Sequence, residues 1–169
     1  MTDIADVLAR LERLEAIEAI RDLAHRYSWG ADHRDVEVWR SVWTPDAVWQ
    51  VGPEQSFTGA DEIAEAVAWQ WRTFPQMLHA TSNHRISVSG EAATGLADVV
   101  VMVCLGAAEE ESIGDDDSGA GRWVSGGGTY RDTYVRIDGE WLISRREATD
   151  SFLTGPHARF PTAGRAGGG

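Results

Sequence analysis

The chain has 169 residues, 43% of them apolar, and carries 27 acidic against 15 basic side chains, a formal net charge of −12. This is the length of one ordinary domain with one substantial core. So acidic a balance argues against nucleic acid or an anionic membrane surface as partner, since both require clustered Lys and Arg. Cys104 is the only cysteine; it cannot form an internal disulfide, and within the apolar run 99–105 it reads as a packing residue.

The first residues alternate charged and apolar side chains, with no continuous apolar stretch of signal-peptide or membrane-spanning length, so a cytoplasmic protein is expected. Ile4, Val7, Leu8, Leu11, Leu14, Ile17, Ile20, Leu23, Ala24 and Tyr27 recur at helical spacing and predict one long amphipathic helix that Gly30 ends. Asp35 is placed to cap a short second helix carrying Val38, Trp39 and Val42, closed by Thr44-Pro45-Asp46. A strand is expected over 47–51, a short extended piece around Phe57, and a third helix begun by Thr58-Gly59-Ala60-Asp61 and stopped by Phe74-Pro75. Eight tryptophans, most of them between residues 29 and 71, make either a large aromatic core or a pocket lined with flat rings.

The rest reads as sheet. Strands are expected over 78–89 and 92–107, and the nearly all-apolar portion 96–105 suggests a central strand covered on both faces. Residues 107–122, rich in acids and glycine, read as a mobile hairpin loop. Segments 123–137 and 140–149, joined at Asp138-Gly139, form the last hairpin, in which Gly126-Gly127-Gly128 marks a bulge or kink. The domain is thus expected over 1–154, followed by a Gly/Ala/Pro-rich tail over 155–169. Helices first and long strands afterwards define an α+β domain. A curved sheet closed by those helices makes a cone with one pocket.

Five histidines are present. His25, His33 and His157 fall in solvated positions, whereas His79 and His84 enter the sheet in the polar segment LHATSNHRI. Strand alternation sends these two to opposite faces unless a bulge intervenes. A histidine with a carboxylate partner has its tautomer fixed and its imidazolium stabilised, which makes the other ring nitrogen a base near neutral pH. Asp32 with His79 would serve.

The succession of a long helix, RY-x4-AD-x2-D, W-x6-DAVW, a helix opened by TGADEI, and H-x3-NHRI resembles the SnoaL-like branch of the nuclear-transport-factor-2-like superfamily, from about Leu14 to Pro156. Within it the likeness is to the lyases: hexachlorocyclohexane dehydrochlorinase, bile-acid 7α-dehydratase and, more distantly, scytalone dehydratase. The resemblance implies a cone-shaped α+β barrel with a curved mixed or antiparallel sheet, no metal or organic cofactor, and commonly a homotrimer. It assigns Asp32 as the dyad aspartate and His79 as the base. It also assigns Tyr27 as a donor to oxygen, as in the bile-acid enzyme, and Arg146 as the aid to the leaving group, Arg145 pointing the other way on its strand. Trp49 matches a pocket tryptophan, and Trp43, Trp71 and Asn83 are further candidate substrate contacts.

The expected activity is therefore a cofactor-free elimination of water, halide or a small carbonyl such as formaldehyde from a hydrophobic cyclic or aromatic small molecule. The alternatives are an isomerase or cyclase using the same dyad, and a non-catalytic binding module in which Asp32 and His79 do not meet.

Overall fold

The computed structural model describes residues 3–105 and 123–154. The expectations for the acidic loop and for the C-terminal tail lie outside these residues. Helix α1 (Ile4–His33) begins at the Asp3 cap, whose carboxylate accepts from the Ala5 N–H, and ends at Arg34 in the left-handed conformation. It is continuous and three residues longer than expected, because Gly30 lies inside it. Glycine is needed there for proximity: a Cβ on Gly30 would stand 2.7 Å from the backbone nitrogen of Trp39 in the next helix. The Gly30 carbonyl also accepts from the Arg34 and Asp35 N–H groups, fastening the turn. Apolar periodicity extends over the whole helix, yet burial begins only toward its C-terminal half, at Ile20, Leu23, Ala24, Tyr27 and Ala31. Ile4, Val7, Leu8, Leu11 and Leu14 are exposed.

Asp35 caps α2 (Val36–Arg40) as expected, accepting from the Val38 N–H at 3.0 Å. Thr44-Pro45-Asp46 does not close that helix; these residues already belong to strand β1 (Trp43–Val51), across a register shift between Trp43 and Val48. Strand β2 (Gln55–Thr58) and helix α3 (Ala60–Thr73) follow, and then β3 (Gln76–Ser89), β4 (Ala92–Cys104), β5 (Trp123–Ile137) and β6 (Glu140–Thr154). The β5–β6 turn places Asp138 and Gly139 at φ 52° and 88°, the two positive angles that a tight hairpin turn requires.

The six strands form one sheet in the order β2-β1-β6-β5-β4-β3, antiparallel except where β1 runs parallel to β6. Together with the helices, this is the expected curved, mixed α+β cone. Its core joins Ile20, Leu23 and Tyr27 of α1, Trp39, Trp43 and Trp49, Ile63 and Val67 of α3, and Tyr130, Tyr134 and Ile143 of the sheet. Strand β4 departs from expectation. Ala93, Ala97, Val99 and Val103 are buried, but Val100 and Met102 are exposed, as are Leu78 on β3 and Trp123 on β5. The helices cover one face of this sheet only, so a strand apolar on both sides leaves alternate residues uncovered within a single chain.

The close approach at Gly30 gives a stability prediction. Gly30→Ala must push α1 and α2 apart, and is expected to lower stability by about 1–3 kcal/mol despite alanine's better helix propensity. Urea unfolding followed by circular dichroism measures it; an unchanged or higher midpoint would show that the helix contact yields freely.

Candidate active site

Asp32 occupies the last turn of α1 and faces β3. Its Oδ2 accepts the backbone N–H of His79 at 2.8 Å, and its Oδ1 lies 2.6 Å from His79 Nδ1. A carboxylate beside Nδ1 places the proton on that nitrogen and leaves Nε2 with its lone pair. Both side chains are only 8% exposed. Arg34 steadies the junction by donating to the carbonyls of Phe74 and Pro75 immediately before β3, and Ser28 and Thr81 are in hydroxyl contact at 3.4 Å beside it.

His79 lines a cavity of ≈ 360 Å³ together with Tyr27, Trp49, Phe74, Tyr130 and the valines of β4. Pro53, Glu54, Gln55 and Gln70 also line it. Gly126, Gly127 and Gly128 form part of the wall, with a register shift between Gly127 and Gly128 where the bulge was expected. Side-chain-free backbone on this wall leaves room that a larger residue would fill.

Tyr27 is the hub of the aromatic cluster. Its ring centroid lies 4.4 Å from that of Trp39, 5.8 Å from Trp43, 6.0 Å from His79 and 5.6 Å from Tyr130. Beneath it, Arg146 is fully buried, with its guanidinium carbon 4.1 Å from the centroids of both the Tyr27 and Tyr130 rings. Asp132 holds that guanidinium through two bonds of 2.9 and 2.7 Å and also accepts the Tyr134 hydroxyl at 2.6 Å. Burial would pull the Arg146 pKa down, but the adjacent Asp132 charge overrides it, so the guanidinium stays charged. Arg145, its neighbour, points outward to Glu147, as alternation demands.

Burial raises the pKa of Tyr27, with the Arg146 charge opposing the rise, and burial likewise raises Tyr130 and Tyr134. All three remain neutral hydrogen-bond donors at neutral pH.

Of the other expected contacts, Trp49 lines the cavity, with its indole N–H buried and unpartnered. Trp43 and Arg146 stand behind the lining residues. Trp71 turns away: its indole N–H donates to the Ala31 carbonyl at 2.7 Å, and Trp69 faces the cavity instead. Asn83 is exposed, at φ 52°, and donates to Asp98 at 2.8 Å, so it serves the strand irregularity and not the cavity. That irregularity, between Ser82 and Arg85, shifts the alternation so that His84 and His79 share the inner face. His84 lies 3.1 Å from the Tyr134 hydroxyl. Sequence reasoning missed Tyr130, Asp132 and Tyr134, although their spacing of two along one strand was a visible sign that they share a face.

An α+β cone with a histidine–carboxylate pair at the wall of an apolar cavity is a small-molecule site. The model of the SnoaL-like domain matches residues 12–147, so the chain belongs to the SnoaL-like domain family, as its motifs indicated. It is 27% identical over 143 residues to gamma-hexachlorocyclohexane dehydrochlorinase of Sphingobium indicum, covering 80% of each chain. Among solved structures, the type 3 hexachlorocyclohexane dehydrochlorinase of Novosphingobium barchaimii superposes with a TM-score of 0.74 at 25% identity, over 90% of this chain and 99% of that one. A putative scytalone dehydratase from Novosphingobium aromaticivorans gives 0.73 at 24% identity, over 87% and 91%, a likeness of fold. Among the described residues, no helix is long and apolar enough to cross a membrane, and no cluster of three or more His, Cys, Asp or Glu could hold a metal.

The chain's three tyrosines all belong to this cluster, which makes its ionisation directly visible. A raised folded pKa means that the folded state keeps protons the unfolded state releases. The resulting stability is whole below the ordinary tyrosine value of about 10 and is lost as pH rises from there toward the folded values. Ultraviolet titration is therefore expected to show no phenolate step near pH 10 and a single step coincident with alkaline unfolding. A separate early step in the folded protein would contradict the burial of the cluster.

Proposed function

We propose that the protein is a lyase that uses Asp32 and His79 as an acid/base dyad on a hydrophobic cyclic or aromatic small molecule. The observation that carries this reading is the double contact of Asp32 with the His79 backbone N–H and Nδ1, at 2.8 and 2.6 Å, on the wall of a mostly apolar cavity. His79 Nε2 removes a proton from carbon; Asp32 holds the ring in place and stabilises the imidazolium that forms. The C–H electron pair forms a new double bond in the substrate skeleton and expels halide, or a hydroxyl that takes up a proton and leaves as water. When the leaving group is a carbonyl fragment, His79 takes the proton of a hydroxyl instead: the O–H pair becomes the fragment's C=O, the C–C bond breaks, and its pair stays on the skeleton. Tyr27 supplies a hydrogen bond or proton to oxygen, and Trp49 packs on the apolar skeleton and offers its unpartnered N–H. Arg146 acts from beneath the tyrosine rings, favouring negative charge above it. The dehydrochlorinase relatives support elimination as the reaction type.

The decisive test compares wild type, His79→Ala and Asp32→Asn against hydroxylated and halogenated aromatic and alicyclic compounds, with products followed by mass. Turnover is expected to disappear in His79→Ala and to fall by roughly 10²–10⁴-fold in Asp32→Asn. Products of unchanged mass would move the assignment to an isomerase, and turnover retained by His79→Ala would sink the dyad.

The reading includes a cytoplasmic homotrimer. Exposed Leu78, Val100, Met102 and Trp123 on the outer sheet face are what a subunit contact would bury. Light scattering should give three times the chain mass for wild type and a smaller species for Met102→Glu; a wild-type monomer would refute the assembly.

A further inference from the structure

Tyr130 was invisible to the motif comparison, yet it lines the same cavity as Tyr27 and His79. The two tyrosine rings meet edge to face at 5.6 Å, and one buried guanidinium lies 4.1 Å from both centroids. The third tyrosine does not join them: the Tyr134 hydroxyl is committed to Asp132 at 2.6 Å and contacts His84. The Asp132 oxygens are in turn occupied by Arg146 and Tyr134. Arg146 Nη1 is buried and has no hydrogen-bond partner. The cavity therefore offers two neighbouring phenolic hydroxyls, hydrogen-bonded to one another, above a cation held by its far edge.

A carbon acid that gives its proton to His79 leaves an electron pair behind. When the carbon is conjugated with a carbonyl group, that pair becomes an enolate oxyanion, which a linked pair of neutral hydroxyls over a buried cation is suited to bind. From this geometry we infer that Tyr130 is a further catalytic residue. With Tyr27 it forms a two-hydroxyl oxyanion site, and the substrate carries a carbonyl group conjugated with the carbon that loses its proton. In this step the C–H bond breaks and His79 keeps the proton; the freed pair forms a carbon–carbon π bond while the carbonyl π bond opens, leaving the negative charge on the substrate oxygen with its σ bond intact. The inference rests on the dyad reading for the identity of the base, and adds the substrate's polar handle.

Binding of 4-nitrophenol tests it without turnover, because its phenolate and phenol forms differ in visible absorption. Wild type is expected to prefer the phenolate by tenfold or more, lowering the apparent pKa of the bound probe. Tyr130→Phe and Tyr27→Phe should each reduce that preference roughly tenfold, the scale of one charge-assisted hydrogen bond. Uncharged 4-nitrotoluene should bind wild type and both variants alike, separating loss of a donor from loss of shape. If Tyr130→Phe keeps the full phenolate preference, or if wild type binds only the phenol or neither form, the oxyanion site is refuted. Should Tyr130→Phe fail to fold by circular dichroism, the direction of the bound probe's pKa shift in wild type decides alone. Turnover in His79→Ala reports on the base and phenolate preference in Tyr130→Phe on the donor pair, so either reading can fail without the other.

Discussion

One carboxylate joins the two halves of this molecule. Asp32, in the last turn of a 30-residue helix, spends one oxygen on the backbone of β3 and the other on the side chain of the same residue, His79. The backbone bond fixes where the strand starts relative to the helix, and the ring bond fixes which nitrogen faces the cavity. A dyad held only side chain to side chain could pivot about two χ angles. Here the aspartate grips the strand itself, so the imidazole orientation is tied to the packing of α1 on the sheet. Gly30 belongs to the same constraint. By letting α2 cross α1 at backbone distance, it sets the entry of the chain into β1 and so the position of Trp49 across the cavity.

Beneath the dyad lies a costlier arrangement. An arginine with no solvent exposure loses several kcal/mol of hydration, which only close charge pairing and hydrogen bonding can offset. Asp132 supplies both through two bonds, and the faces of Tyr27 and Tyr130 supply what remains. Replacing this set with apolar residues of similar volume would generally cost nothing in stability. Its presence at the floor of the cavity is therefore better explained by the field it creates at the cavity oxygens than by its contribution to the core.

Much of this was legible from residue order alone. Period-3.6 and period-2 apolar patterns located all three helices and the long strands, and the Asp-Gly turn named its hairpin. A helix-end aspartate and a histidine at a polar strand entry made the Asp32–His79 pairing conceivable, and it was the resemblance to the SnoaL-like lyases, not spacing, that singled it out. What escaped depends on distances that a sequence does not carry. A glycine near a helix end signals termination and close approach equally well, and at Gly30 the second meaning applies. Whether His79 and His84 share a face turned on one irregularity, whose local sign was Asn83, a residue type that tolerates positive φ. The choice between Trp69 and Trp71 depended on helix phase, and Trp71 was claimed by a carbonyl of α1.

The inner face of β5 shows how the remaining chemistry is arranged. Along one side of a single strand run Gly126, Gly128, Tyr130, Asp132 and Tyr134, so two positions without side chains precede three polar ones. The glycines leave space toward the cavity, Tyr130 ends that space with a hydroxyl, and Asp132 and Tyr134 anchor the cation behind it. Volume and polarity thus change along one strand. An apolar ring lying against the glycine backbone and β4 valines would bring a polar end to the tyrosines, next to His79. The strand that shapes the cavity therefore also bears on which end of a ligand is presented to His79.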